Sequence, residues 1–367
     1  MRVQKHLIGP VLLVLAASAA AEKGAMPLGQ AMKASSGPAF EVRAGEIRTK
    51  VQSEDAAGLA NLMASFKSDV TIDPPTRERV LYESLRAAAL LRPDDRLRQL
   101  VEGLTRYRSE TLIWTDDHGH REYRPLFDIA VTARYVNRVW SENEAREQAA
   151  RAIRNQQPNV ISQYPTISAD QQRGVIEAFR DAPRSELQPY RAALLDALAD
   201  GMPVHDLAAI VASKTTDSEL LSGVLLSGPA ELGLQSLRVI EGAQWAGQRL
   251  PLLSLAAERP ELQSAAMLTI GRLAATDPSA KEILFSFLGT PGGSSAAVAL
   301  AQLARPDVIS RLSLILQRSS HEQTRRHALL GLRMIDSPAA RDALSAFARQ
   351  PSAPAELVSE IPAWLRY

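Results

Sequence analysis

"QTRRHALLGLRMIDSPAARDALSAFARQ", residues Gln323 to Gln350, decides how the chain is read. Ala328, Leu332 and Ile335 recur at steps of four and three, so they share one stripe of an α-helix. Asp336 and Ser337 break the pattern. Pro338 then sits where proline suits a helix best, in the first turn of a second amphipathic segment, "AARDALSAFAR". The stretch therefore predicts two short helices joined by a tight turn.

The same unit recurs upstream. A small residue followed four and seven positions later by aliphatic ones appears as Gly233, Leu237, Ile240; as Ala266, Ile270, Leu273; as Ala296, Leu300, Leu303; and as Ala328, Leu332, Ile335. Successive units are therefore 33, 30 and 32 residues apart. A proline (Pro251, Pro278, Pro306, Pro338) lies near the start of each second helix. Two helices repeated every thirty or so residues are the building block of an α-solenoid, in which each unit buries its apolar face only against its neighbours.

These segments resemble HEAT-like repeats of the short type, in which a basic residue precedes an Ala-rich first helix, Asp or Pro follows in the turn, and the second helix carries regularly spaced Leu. The resemblance covers residues 233–350 well and residues 42–232 loosely. It implies a fold and a general role, since HEAT-like arrays mostly serve as binding scaffolds. Some related repeats belong to enzymes such as phycobilin lyases, but no motif here assigns the chain to them.

Working outward, residues 42–232 also have helical periodicity, as in Val80, Ser84, Ala87, Leu91 and in Leu97, Leu100, Val101, Leu104. They are expected to form divergent repeats ahead of the regular ones at 233–367. Asp73-Pro74, Arg92-Pro93 and Arg124-Pro125 read as helix openings, Ser168 to Gln171 as a capping box, and Gly201 as a helix end. Residues 22–41, rich in Gly, Ala, Ser and Pro, are expected to be a flexible leader outside the core. Residues 1–21 have the layout of a secretory signal peptide: Arg2 and Lys5, an apolar run from Leu7 to Leu15, then alanines that permit cleavage after Ala19 or, preferably, Ala21. Export to the bacterial periplasm, or beyond it to the exterior, follows from that reading.

The chain has no cysteine, hence no disulfide, no thiolate metal site and no residue to lipidate at the cleavage point. Its 42 basic and 41 acidic residues nearly cancel. Losing Arg2 and Lys5 with the leader would take the net charge from +1 to about −1, which gives no argument for a nucleic-acid partner. No later segment has the apolar length of a membrane span, so stable membrane insertion is not expected.

"TLIWTDDHGHREYRP", Thr111 to Pro125, is the one departure from the helical pattern. A two-residue turn at His118-Gly119 would pair Asp117 with His120, Asp116 with Arg121, Thr115 with Glu122, and Trp114 with Tyr123 across a β-hairpin. Opposite charges then face one another, and so do the aromatics, each pair contributing about 0.2 to 1 kcal/mol. Strand is expected only around Leu112 to Arg124. Tyr107, Trp114, Tyr123, Phe127, Tyr135 and Trp140 concentrate a third of the chain's aromatics here. Phe127 and Tyr135 are expected to pack inward, and the hairpin aromatics are harder to bury.

A metal needs at least three converging ligands, and only Asp117 and His120 share a face, with His118 at the tip. No metal or other cofactor is expected. His321 and His327 are six apart and point about 120° from one another on a helix, so they cannot share an ion. "GTPGGSS", Gly289 to Ser295, lacks the lysine of a phosphate loop and reads as an interhelical turn, with Ser294 or Ser295 capping the next helix. The arginines between Arg77 and Arg154 alternate with acids as on a solvated helix face. The expectation is a non-enzymatic scaffold for a protein or peptide partner, with Trp114, Asp117, His118, His120 and Tyr123 as the contact. The competing reading is an exported enzyme or metal-dependent factor with its site at 116–120.

Overall fold

A computed structural model describes residues 24–117, 120–351 and 353–364. The expected signal peptide lies outside the described residues. The chain is all-α with one small sheet, and it divides into two compact units. The first holds the chain up to Gln148 together with Ser168–Val175; the second holds Ala149–Ile167 and everything from Ile176 on. Among the described residues no helix is long and apolar enough to cross a membrane.

The first unit runs β1 (Met26–Pro27), α1 (Leu28–Ala34), α2 (Pro38–Gln52), α3 (Ala56–Ser68), α4 (Pro74–Ala88), α5 (Asp95–Leu104), β2 (Leu112–Asp117), β3 (His120–Pro125) and most of α6 (Ile129–Arg154). Its core gathers Leu59, Met63, Leu81, Leu85, Leu97, Val101 and Leu104 around Trp140, whose indole N–H donates to the Ala88 carbonyl at 3.0 Å. Helix starts follow local chemistry. The Asp73, Asp94 and Asp55 side chains each accept a backbone N–H in the first turn of the helix that follows.

Three expectations fail here for identifiable reasons. Residues 22–41 do not stay outside the core in their described part. Met26 and Pro27 pair in parallel with Ile113 and Trp114, Ala31 is fully buried, and Phe40 joins the core under the Arg79 guanidinium, 3.8 Å from its ring centroid. Ala31 and Ser35 are the fully buried small residues of the segment, and α1 touches α4. The leader also adds β1, so the expected two-stranded hairpin is the larger part of a three-stranded sheet, order β1-β2-β3. Pro125 ends β3 instead of opening a helix; α6 begins at Ile129, with the Asp128 carboxylate accepting the Val131 N–H.

In the second unit, short α7 (Asn159–Gln163), the end of α8 (Ala169–Asp181) and α9 (Arg184–Leu187) lead into α10 (Arg191–Ala199), α11 (His205–Thr215), α12 (Ser218–Ser227), α13 (Ala230–Ile240), α14 (Arg249–Ala257), α15 (Pro260–Leu273), α16 (Pro278–Phe287), α17 (Gly293–Leu303), α18 (Pro306–Arg318), α19 (Glu322–Ile335), α20 (Pro338–Ala348) and α21 (Ala355–Trp364). Helices α11, α13, α15, α17 and α19 touch in succession, as do α10, α12 and α14 in the second layer, and each pairs with its sequence neighbour. That is α-solenoid stacking. It begins upstream of Gly233, where the sequence pattern had been too divergent to show it.

The repeat signature maps onto this packing. Gly233, Ala266, Ala296 and Ala328 are buried, and so are Leu237, Ile270, Leu300 and Leu332; Leu273, Leu303 and Ile335 are only half-buried. Small residues let the first-layer backbones approach, and a methyl group on Gly271 would lie 2.9 Å from the Ala299 Cβ. Polar contacts recur at the same spacing. Arg259 donates to the Leu225 and Gly228 carbonyls, Arg305 to the Ala275 carbonyl, and Arg311 and Lys281 pair with Glu282 and Asp307 respectively. Helix-end carbonyls that lack intrahelical partners are thus satisfied by an arginine from the next unit. The Ser294 and Ser295 caps do not form, because α17 starts earlier, at Gly293 with Gly292 as its cap; Ser295 instead bonds Ser264 at 2.9 Å.

Candidate recognition hairpin

The residues "LIWT" favour strand because β-branched and aromatic side chains fit a pleated surface, and the hairpin forms in the expected register. Trp114 stands opposite Tyr123, Thr115 opposite Glu122, Asp116 opposite Arg121 and Asp117 opposite His120. The connecting His118 and Gly119 lie outside the described residues, as does the side chain of Asp117. His120 is exposed, while Trp114 and Tyr123 are half-buried, less protruding than the sequence suggested. The Arg121 guanidinium lies 4.8 Å from the centroid of the Trp114 ring, a cation–π contact that holds the indole in place on the hairpin face.

What fixes the hairpin to the helices is a buried polar clamp at its root. Glu78 on α4 is fully buried, and its carboxylate accepts the Glu110 N–H at 2.5 Å and the Thr111 N–H at 3.3 Å. Beside it, Arg77 donates to the Glu110 carboxylate at 2.6 Å and to the Asp69 carbonyl at 3.1 Å. The Leu126 N–H closes the other end of the hairpin onto the Thr111 carbonyl at 3.0 Å, and the Ser109 hydroxyl donates to the Phe127 carbonyl at 2.9 Å. Burial pushes the Glu78 carboxyl above the usual carboxylate range, against the two N–H donors that pull it down. Burial, then the Glu78 charge, raises the Tyr107 phenol as well. The Tyr107 and Thr111 hydroxyls and the Arg77 Nε are buried in the same cluster without a hydrogen bond of normal geometry.

Sequence reasoning missed this clamp. Arg77 and Glu78 were read as part of a solvated charged face, yet Arg77 is 6% exposed and Glu78 0%. A signal was present. Arg77 lies four residues before Leu81 and Glu78 seven before Leu85, so both charges stand in line with core positions of the same helix.

The aromatic cluster divides. Trp140 and Phe127 are core; Tyr135 is 48% exposed, contrary to the expectation that it packs inward. Its position i, i+4 from Val131 puts both on the outward stripe of α6. In the second unit, His205 Nε2 is 3.0 Å from the Ser227 hydroxyl, but that hydroxyl donates to the Gly223 carbonyl at 2.9 Å. A serine hydroxyl that donates to the carbonyl four residues back is a common arrangement within a helix, and the imidazole meets it at the helix end. The described residues hold no group of three or more His, Asp or Glu side chains placed to bind a metal ion.

The chain matches no protein-family model and no curated protein. Among solved structures it is similar to a "circular tandem repeat protein with novel repeat topology and enhanced subunit contact surfaces", at 16% identity over 89% of this chain and 81% of that one, with a TM-score of 0.18. The helical-repeat assignment stands on the packing described above, and the likeness adds nothing about what the chain does.

Proposed function

We propose that this protein is an exported, non-enzymatic scaffold of the HEAT-like kind that holds a protein or peptide partner in the bacterial periplasm, with the hairpin as its contact. Trp114 and Tyr123 supply the apolar area, while Asp117, His118 and His120 supply polar contacts at the tip. The observation that carries this reading is the clamp. Burying two charged side chains is costly unless they are paired and hydrogen-bonded, and here they are spent on fixing the root of an inserted hairpin. A rigidly held element binds with less loss of conformational freedom than a mobile loop. Half-exposed Trp and Tyr, one of them stacked by arginine, are the residue types that dominate interface energetics.

The test is capture from bacterial envelope extract on the immobilised mature protein, compared with a Trp114→Ala/Tyr123→Ala variant. A partner retained by the wild type is expected to bind the variant weaker by about 2 kcal/mol or more, with little change in melting temperature. Equal capture by both proteins would remove the hairpin from the interface. Loss of capture and zinc-reversible loss of stability on treatment with EDTA would favour the metal-dependent reading instead.

A further inference from the structure

The first unit carries a second surface, separate from the hairpin. Between α2, the C-terminal end of α4 and α6 lies an open cleft of about 680 Å³. Its floor is apolar: Ala44, Ile47 and Val51 fall on one stripe of α2, and Ala87 closes it from α4. Its rim carries exposed apolar side chains beside its charged ones. Leu90 is 77% exposed and Tyr135 48%, and the stripe of α6 continues one turn back to Val131 at 49%. Among the described residues nothing covers them. Scattered exposed apolar residues are ordinary, but two that border one cleft, with a third a turn away, are a reason to look for an occupant.

The charges around the cleft say which occupant. Arg48 lines it from α2, exposed and with no ion pair or hydrogen bond among the described residues. Arg86 lines it from α4, its side chain 61% exposed, with Glu83 at 3.4 Å as its one acidic partner among the described residues. Arg138 lies 5.1 Å from the Tyr135 ring centroid. Two guanidinium groups line the cleft against one carboxylate, an excess of positive charge that favours acidic side chains on whatever sits between them.

We propose that this cleft docks an amphipathic α-helix of a partner protein, about three turns long, with an apolar face flanked by Asp and Glu. The length follows from the α2 stripe, which spans Phe40 to Val51 and so about 16 Å at 1.5 Å per residue. A helix laid in such a groove anchors itself through apolar residues at i, i+3 or i+4, and i+7, matched to Leu90, Tyr135 and the floor. The chain's own leader is the wrong occupant, because its apolar run follows Arg2 and Lys5 and would bring like charge to the arginine rim.

The experiment is selection of a random-sequence helical peptide library on the immobilised full chain, followed by anisotropy titration of the enriched peptides. The expected winners carry apolar residues at helical spacing with flanking Asp or Glu, and they bind more weakly as salt rises. Leu90→Asp should weaken them at least tenfold at unchanged melting temperature, since Leu90 is exposed. Arg48→Glu with Arg86→Glu, a second variant that leaves the floor intact, should do the same and shift preference toward Lys-flanked peptides. Trp114→Ala/Tyr123→Ala should leave these peptides bound as before, which separates this surface from the hairpin. No enrichment, enrichment of basic peptides, or indifference to Leu90→Asp would overturn the proposal. So would light scattering that shows a wild-type dimer dispersed by Leu90→Asp, because a second copy of the chain would then be the occupant.

Discussion

The two units are made of the same material, short amphipathic helices with Asp or Pro at their starts, and use it in opposite ways. In the second unit every device recurs: a small residue where helices cross, an arginine on the carbonyls of the preceding unit, an ion pair 26 to 31 residues away. In the first unit the devices are singular. One leader strand, one hairpin, one fully buried glutamate and one half-exposed tryptophan under an arginine have no counterpart in the array. Repetition distributes stability over many equivalent contacts; singular features concentrate it, and they are where a function specific to this chain is to be sought.

The sharpest contrast is between two tryptophans. Trp140 is 1% exposed and hydrogen-bonded, so Trp140→Ala is expected to cost about 3 to 5 kcal/mol in denaturant unfolding. Trp114→Ala, on the hairpin face, should cost much less. Equal losses would mean that the hairpin is core and that the contrast between scaffold and displayed element fails.

Gly271→Ala probes the array. The added methyl meets the Ala299 Cβ of the next unit and should destabilise by about 1 to 3 kcal/mol. Ala299→Gly in the same chain removes the opposing methyl and should restore part of the loss. Failure of that rescue, read from a double-mutant cycle, would show that the first-layer helices do not pack as described.

Glu78→Gln probes the clamp, and its signature is pH. The folded-state carboxyl lies above its unfolded value because of burial, so the folded form binds the proton more tightly. Wild-type stability contributed by this site is therefore full below the unfolded value and declines as pH rises through the raised one. Glutamine does not titrate. The deficit of the variant should accordingly be largest at acid pH, about 1 to 3 kcal/mol, and shrink as the pH rises. A deficit that grows with pH would mean that the two N–H donors outweigh burial.

The smallest effect is expected for Arg259→Met in the array. It removes two hydrogen bonds to the Leu225 and Gly228 carbonyls and should cost about 1 to 2 kcal/mol, measured by chemical unfolding. A loss as large as that of Trp140→Ala would show that the array, too, depends on single contacts.

What was legible in the sequence follows the same division. Helical period, proline positions and the spacing of small residues were enough to find the array, because each unit restates the same local rule and neighbours satisfy one another. The hairpin register was legible as well, since a two-residue turn leaves only one way to pair Trp114 with Tyr123 and the charges around them. The clamp was not, because a charged residue on a helix looks solvated until the helix is known to be surrounded; ten of the fifteen residues of α4 are buried. Nor was the role of Met26 to Phe40, whose composition suits a flexible tail and whose order comes from partners more than seventy residues away in β2 and from α4. Tyr135 was misplaced because aromatic identity was given more weight than its position on the α6 stripe.

The central claim, that α4 locks the root of a displayed hairpin, is tested most directly by amide hydrogen exchange. The Glu110 and Thr111 amides, bound to Glu78, are expected to exchange as slowly as those of α4 while the strand ends near Asp117 and His120 exchange fast, and Glu78→Ala is expected to free the root without changing protection from α13 to α20. Root amides that exchange as fast as the tip in the wild-type protein would contradict it.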